Sequence, residues 1–431
     1  MNDRRARWVG GALALVFVVL RVEPFFGTRI GTGLDSFDYL NASHAGFFTR
    51  EFLAGSRPPG YPLYLKVVDR NLHVATVGPL VLVTVALLVL AFMAARATRD
   101  PWLRVAAVVV VLGLGATLDS IQWDRIISTE ALSSAFAVGL LAALLWLRER
   151  WTGPRLAVAS VLALLMTALR DSNGTFLGLI AVALLIGVVV RRLGPRVLVL
   201  SGLLLAVAVA GAVSAGMGKR WQEPIQNVIT IRLFNSPERL RSLYHSGLPL
   251  TLPQVGRTQG HCVSPVAFQA CVTLRDPAFY DWVEHHGREA YIHEMWKTPA
   301  TTLWEPLANV RESIGTRDRV DLATESGEHA PVSHVLESVF EVRDPALAIT
   351  WTVALLVLMS LAWVRRVRGV FVIAFALLLA VYPHLWLVWV GDAEEVTRHS
   401  LLATVQLHLG LWLGTVWLVD AYLARKDAPA A

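Results

Sequence analysis

The chain carries little charge. Only 17% of its 431 residues are Asp, Glu, Lys or Arg, while 55% are apolar. A soluble domain of this length carries about 25% charged residues, so much of this surface must be covered by lipid. Mean hydropathy is +0.52. Lysine is confined to Lys66, Lys219, Lys297 and Lys426, so arginine supplies nearly all the positive charge behind the net +6. The positives fall in short clusters between apolar runs rather than in one patch, which argues against a nucleic-acid partner. Cysteine is limited to Cys262 and Cys271. These two read as one disulfide closing a short loop of an exported segment; together with His261 they lack the C-x2-C spacing of a zinc site. No HExxH motif is present, and the glycine-rich "GTRIGTG" at 27–33 lacks the GK[ST] of a phosphate loop. There is no tandem repeat, and no matched pair of Gly/Pro-broken spans of the kind that marks a transporter built from inverted halves.

What the chain does have is apolar runs. A bilayer core of roughly 30 Å needs about 20 apolar residues per helix, and runs that fit lie near 8–26, 78–95, 103–119, 131–147, 154–170, 174–190, 197–216, 347–364, 369–390 and 400–422. The third, fifth and eighth have ill-defined ends. The basic start and first apolar run lack a small-residue cleavage site, so they read as an uncleaved first span. The reading is an all-α polytopic membrane protein of about ten spans. It comprises an N-terminal module of seven spans (1–216) with an active first outer loop (27–77), an extracytoplasmic loop domain (217–346) and a C-terminal module of three spans (347–431).

The connections alternate in charge. Arg4/Arg5/Arg7, Arg96/Arg99/Arg104, Arg148/Arg150/Arg155, Arg191/Arg192/Arg196, Arg365/Arg366/Arg368 and Arg425/Lys426 all fall on one side of a ten-span arrangement. The positive-inside rule makes that side cytoplasmic. Both termini are then inside, in a cell (inner) membrane, and the long mixed-charge segments 27–77 and 217–346 are outside.

The first outer loop concentrates the chemistry. In "DSFDYLNASHAGFFTREFLAGS", Phe37, Leu40, His44, Phe47 and Phe48 recur at helical spacing and predict an amphipathic interfacial helix. Asp35 is placed to cap it and Asp38 to support its first turn. "SRPPGYPLYLKVV" then sets Arg57 on a diproline that cannot be helical, followed by Tyr61, Leu63, Tyr64 and Leu65 as an apolar return. An acid and an arginine held about twenty residues apart at the membrane surface suit sugar transfer from a lipid phosphate. A carboxylate takes the proton of the accepting hydroxyl, and fixed cations stabilise the departing phosphate.

At these residues the chain resembles the GT-C membrane glycosyltransferases, in particular glycosyltransferase family 39, the branch of protein mannosyltransferases and the lipid A aminoarabinose transferase. The branch carries D-[ES]-x-x-Y in its first outer loop and then [RK]-P-P. Here these are Asp35-Ser36-Phe37-Asp38-Tyr39 and Arg57-Pro58-Pro59-Gly60-Tyr61-Pro62. Glu130 in "RIISTEALSS" matches the family's acid at the start of the fourth span, and Arg398-His399 is similar to its arginine–aromatic pair near the last span. Ser36 stands where many relatives have a second acid, which leaves open whether Asp38 is the partner carboxylate and whether a divalent cation is needed. The resemblance implies an inverting enzyme with Asp35 as general base, Arg57 and Arg398 on the lipid phosphate, a polyprenyl-phosphate sugar as donor, and a glycan, lipid or protein of the cell envelope as acceptor. Tyr39, Tyr61, Arg125, Glu130, Arg170 and His399 are further site candidates.

Other charges have plainer readings. In "DSIQWDRIISTE", Asp124–Arg125 or Arg125–Glu130 pairing accounts for the charges, and Arg170-Asp171 reads as a polar turn. His384 reads as a hydrogen-bonded bundle histidine, and Asp392, Glu394 and Glu395 as loop solvation. In the large loop Asp276 caps a helix with Pro277 at its first position. There His286, Glu289 and His293 share a face, a trio that could ligate a metal, while Trp282, Tyr291 and Trp296 are placed at an interface or against sugar. The alternatives to a transferase are a transporter or flippase of a lipid-linked intermediate, which calls for ionisable residues buried in several spans, and a non-catalytic membrane scaffold.

Overall fold

The computed structural model describes residues 3–27, 29–32, 34–189, 193–258, 276–314, 331–364, 370–391, 393 and 396–426. Cys262, Cys271, His261, Asp392, Glu394 and Glu395 lie outside them. Within them the protein is all-α and polytopic: helices throughout, with one isolated β-bridge between Gly31 and Ile126. Seven helices are long and apolar enough to cross a membrane: Asp3–Phe26, Leu72–Ala97, Glu130–Glu149, Asp171–Val189, Arg196–Met217, Val370–Gly391 and Leu401–Ala424.

The three runs with ill-defined ends depart from straight spans. Pro101–Gly115 and Leu118–Arg125 meet at 55°, Val332–Phe340 and Pro345–Leu361 at 54°, and Gly153–Leu169 is a single 17-residue helix. Counting each bent pair as one crossing gives nine spans. The bends have local causes. The Thr117 hydroxyl turns back onto the Leu114 carbonyl at 3.0 Å, competing with helix propagation. Pro345 disfavours helix in the residue before it, and Asp344 restarts the helix by accepting from Leu347 N at 2.7 Å.

Caps fix the other ends. Asn71 accepts from Val74 N, and Asp100 accepts from Trp102 N and Leu103 N with Pro101 following it. Asp420 on the last helix accepts from Arg99 N and Asp100 N at 2.9 and 2.8 Å, tying the last span to the turn between the second and third. The first span is tied by charge. Arg21 donates to Asp124 Oδ1 at 2.8 Å and to Ser120 Oγ at 3.0 Å, and the Arg21 and Asp124 side chains are 0% and 3% exposed. A buried ion at this depth is tolerated only when paired.

Segment 217–346 builds its own apolar cluster from Ile229, Leu233, Phe234, Leu243, Phe279 and Trp282 among others. It docks on Val370–Gly391, where Tyr291 donates to Val390 O at 2.6 Å and Trp386 to Thr302 O at 3.1 Å. Asp276 caps Pro277–Trp282 as expected, accepting from Ala278 N. The aromatic expectation needs correcting at Trp282. Trp282 is buried and donates to Ser246 O, and Tyr291 is a docking residue, while Trp296 is 78% exposed. The π turn Val283–Gly287 shifts the register within the helix. Among the described residues no His, Cys, Asp and Glu side chains gather in threes as metal ligands, so His286, Glu289 and His293 do not form the trio their spacing allows. His384 is a buried bundle histidine, with Nδ1 3.3 Å from Gln406 Oε1.

Candidate functional site

The first loop folds differently from one amphipathic helix. Helix Leu34–Ala42 stops, a turn follows, and Arg50–Ala54 begins anew. Ser43 ends the first by donating its hydroxyl to Leu40 O at 2.6 Å, and Thr49 caps the second through Phe52 N. After the diproline, Gly60–Val67 is helical, with Tyr61, Pro62 and Leu65 buried. Tyr61 and Leu65 pack with Tyr39, Ile127, Leu132 and Leu169 beneath the loop, while Leu63 of the apolar return is exposed. A Cβ on Gly60 would lie 2.7 Å from the Ala168 carbonyl carbon and oxygen. Only glycine allows this approach, which brings Arg57 and Arg170 into one neighbourhood.

Two backbone links set Asp35. Gly31 N donates to Arg125 O at 2.9 Å and Ile127 N to Gly31 O at 3.0 Å. The buried Ser36 hydroxyl donates to Ile127 O at 2.6 Å. Ser36 therefore serves to pin the helix, and a carboxylate in its place would face a carbonyl oxygen.

The charged side chains then converge. Arg57 Nη2 lies 2.8 Å from Asp35 Oδ1 and 2.5 Å from Asp38 Oδ2. Arg398, from the short helix Val396–His399, donates from Nη2 to Asp35 Oδ2 at 2.5 Å and from Nε to Glu130 Oε1. Arg170 Nη1 donates to the same Glu130 oxygen at 3.0 Å. Asp35, Arg57, Glu130, Arg170 and Arg398 thus form one chain of alternating charge, with the Glu130 side chain fully buried and Asp35 20% exposed.

The electrostatics follow from this geometry. Burial works to raise the Asp35 carboxyl, but the Arg398 and Arg57 guanidiniums outweigh it and hold it below the usual carboxylate range. Burial opposes the charge on Arg57, which the Asp35 and Asp38 carboxylates restore, leaving its pKa raised. Burial, with the Asp35 charge, pushes the Tyr39 phenol up to about 12. Tyr39 is a neutral ring, 5.6 Å from the Arg57 guanidinium and edge-on to Tyr61 at 5.1 Å.

Three sequence readings change here. Asp124 pairs with Arg21, and Glu130 pairs with Arg170 and Arg398, so neither of the local pairings accounts for these acids. Arg125 lies over the Phe25 ring at 4.4 Å and enters the site through its backbone carbonyl. Arg170-Asp171 is more than a turn, because Asp171 takes Arg220 through two bonds of 2.8 and 3.0 Å. His399 sits half-buried beside Arg398.

The sequence reading missed Arg220 and Glu223. Arg220 also donates to Gly55 O at 3.0 Å, and a Cβ on the adjacent Gly218 would lie 2.3 Å from that oxygen, so the start of the large segment is locked to the Arg57 loop. Glu223 is 4.0 Å from Arg57. A signal was present: Lys219-Arg220 is a basic pair directly after the apolar run 197–216. Asp35 and Glu130 have the Arg398 guanidinium between them, and Asp35 and Asp38 share that of Arg57. As arranged, this donor set does not fit a divalent cation.

No protein-family model matches the chain, and no curated protein does. Among solved structures, it is similar to the archaeal oligosaccharyltransferase AglB from Archaeoglobus fulgidus in complex with an inhibitory peptide and a dolichol-phosphate, with TM-score 0.48 and 12% identity over 99% of this chain and 52% of that one. It is similar also to the Archaeoglobus fulgidus oligosaccharyltransferase in the apo form, with TM-score 0.47 and 13% identity over 98% and 52%. The complex of that enzyme with Zn and sulfate gives 0.44 and 14% over 98% and 51%. The chain spans about half the length of these solved structures.

Proposed function

We propose that the protein is an integral membrane glycosyltransferase of the GT-C type. It transfers a sugar from a polyprenyl-phosphate donor to a hydroxyl of an envelope glycan, lipid or protein on the extracytoplasmic side. The observation that carries this reading is the meeting of the two first-loop residues Asp35 and Arg57 with Arg398, which is 363 positions from Asp35. A carboxylate and two guanidiniums at one point are the groups that proton removal and phosphate departure require.

In the reaction, Asp35 accepts the proton of the acceptor hydroxyl. The hydroxyl oxygen bonds to the anomeric carbon from the face opposite the phosphate, and the bond from that carbon to the phosphate oxygen breaks. The electron pair leaves with the lipid phosphate, where Arg57 and Arg398 stabilise it. Before the donor arrives, both arginines are engaged by carboxylates. An incoming phosphate competes for them, and as it draws them from Asp35 the proton affinity of that carboxylate rises. Base strength is thereby coupled to donor binding.

The test uses purified protein in nanodiscs with a panel of polyprenyl-phosphate sugars. One donor is expected to raise the melting temperature by mass action, less so in Arg57→Ala. Asp35→Asn is expected to keep donor binding and to lose transfer by about 10²–10⁴-fold, the range for a general base. Near-normal transfer by Asp35→Asn would remove the base assignment. Absence of any response to a lipid phosphate in well-folded protein would remove the transferase reading.

A further inference from the structure

Helix Pro299–Ala308 belongs to the large connecting segment, yet it lies beside a span rather than beyond its end. Tyr382 Oη donates to Leu303 O, and Trp386 Nε1 donates to Thr302 O at 3.1 Å. These donors stand nine and five residues before Gly391, where the span Val370–Gly391 ends. At about 1.5 Å per residue, the contacts sit roughly 7–13 Å below that end. This depth falls within one leaflet, where amphipathic helices lie. The two faces of the helix agree. Thr302 and Glu305, with Thr298 just ahead of them, recur at helical spacing and line a cleft against the protein. Leu303 and Trp304, with Trp296 before the helix, are exposed. Tryptophan gathers at membrane interfaces.

The cleft behind the helix has about 330 Å³ of open space, and Arg232, Arg239, Glu294 and Trp389 stand in its wall. Trp389 is two residues from the end of the span, about 3 Å along it, so the cleft reaches headgroup level. Its guanidiniums are engaged, Arg232 with the Trp389 carbonyl and ring and Arg239 with Glu305. Two other side-chain atoms are not. Glu294 and Trp389 are only 4% and 7% exposed, and among the described residues Glu294 Oε2 and Trp389 Nε1 are buried with no hydrogen-bond partner. Folded proteins pair nearly all such groups, and a buried carboxylate oxygen without a donor is costly. The cleft therefore offers one acidic acceptor and one N–H donor, flanked by two cations.

We propose that this cleft binds the headgroup of a membrane phospholipid that carries a primary ammonium beside its phosphate. The ammonium donates to Glu294 Oε2, and a phosphate oxygen accepts from Trp389 Nε1 with Arg232 and Arg239 close by. A quaternary ammonium has no hydrogen to donate, and an alcohol headgroup brings no positive charge to Glu294. The site is separate from Asp35 and Arg398 and does not rest on the transferase reading.

The test titrates protein in detergent with dihexanoyl phosphatidylethanolamine, phosphatidylcholine and phosphatidylglycerol, with affinity read by thermal shift. Wild type is expected to bind the ethanolamine lipid about 10-fold or more tightly than the other two, the worth of a hydrogen bond to a charged group. Glu294→Gln is expected to erase that preference. Trp389→Phe is expected to weaken all three lipids by about 3- to 10-fold while keeping their order. Equal affinity of wild type for the three lipids, or the full preference retained in Glu294→Gln, overturns the site and assigns the two atoms to water. Free phosphoethanolamine binding as tightly as its lipid ester overturns the membrane source.

Discussion

Arg398 and Asp35 join the two ends of the chain, Nη2 to Oδ2 at 2.5 Å, while Nε of the same guanidinium holds Glu130. One planar fork thus addresses two acids from two other helices. Lysine offers a single point charge and cannot reproduce that geometry. Arg398→Lys is expected to lower affinity for polyprenyl phosphate by about 10- to 100-fold, read by thermal shift titration in nanodiscs. Full affinity in the lysine variant would mean that charge alone suffices.

Asp35 has a depressed pKa in the folded protein. The sign is therefore fixed. Its ionised form contributes stability fully above the unfolded carboxylate value near 3.9, and that contribution is lost as pH falls through the lower folded value. The melting-temperature difference between wild type and Asp35→Asn should be constant from pH 5 to 8 and shrink below about pH 4. A difference that already shrinks between pH 5 and 7 would contradict the double arginine contact.

The buried Arg21–Asp124 pair makes a separate claim about the bundle. Removing one partner leaves a charge where water cannot reach it. Arg21→Met is expected to destabilise the protein by about 3–5 kcal/mol, and Arg21→Met with Asp124→Leu to recover most of that loss. Unfolding in mild detergent, followed by melting temperature, separates the cases. Additive losses in the double variant would show that the two side chains act independently.

Gly60 concerns placement rather than charge. A methyl group there meets the Ala168 backbone, which cannot yield as a side chain can. Gly60→Ala is expected to destabilise by about 1–3 kcal/mol and to weaken lipid-phosphate binding together with Arg57→Ala, without additivity. Wild-type behaviour of Gly60→Ala would mean that the two helices separate at little cost.

Much of this was legible in the chain, and the limits have physical causes. Apolar runs identified every long helix because the lipid requirement leaves a twenty-residue signature. The three ambiguous runs were those that bend or stop short, where Thr117 and Pro345 interrupt a pattern that hydropathy alone does not resolve. Asp35, Arg57, Glu130 and Arg398 could be picked out because each sits in a local motif. Their mutual pairing could not, since Arg398 reaches its partners across most of the chain. Arg170 looked like part of a turn for the same reason: its partner is 40 residues away. Ser36 looked like a missing acid until its hydroxyl was seen on Ile127.

The closed arrangement of Arg57 and Arg398 on their carboxylates has a bearing on life in a phospholipid bilayer. Anionic headgroups surround such a protein in vast excess over any rare carrier lipid. Basic residues left open at the surface would be occupied by them continually. Here each headgroup must first displace Asp35 or Glu130, and a simple phosphodiester gains little in return. Under the proposed reading, the resting salt bridges act as a filter, because any lipid phosphate has to compete with Asp35 and Glu130 for the two arginines.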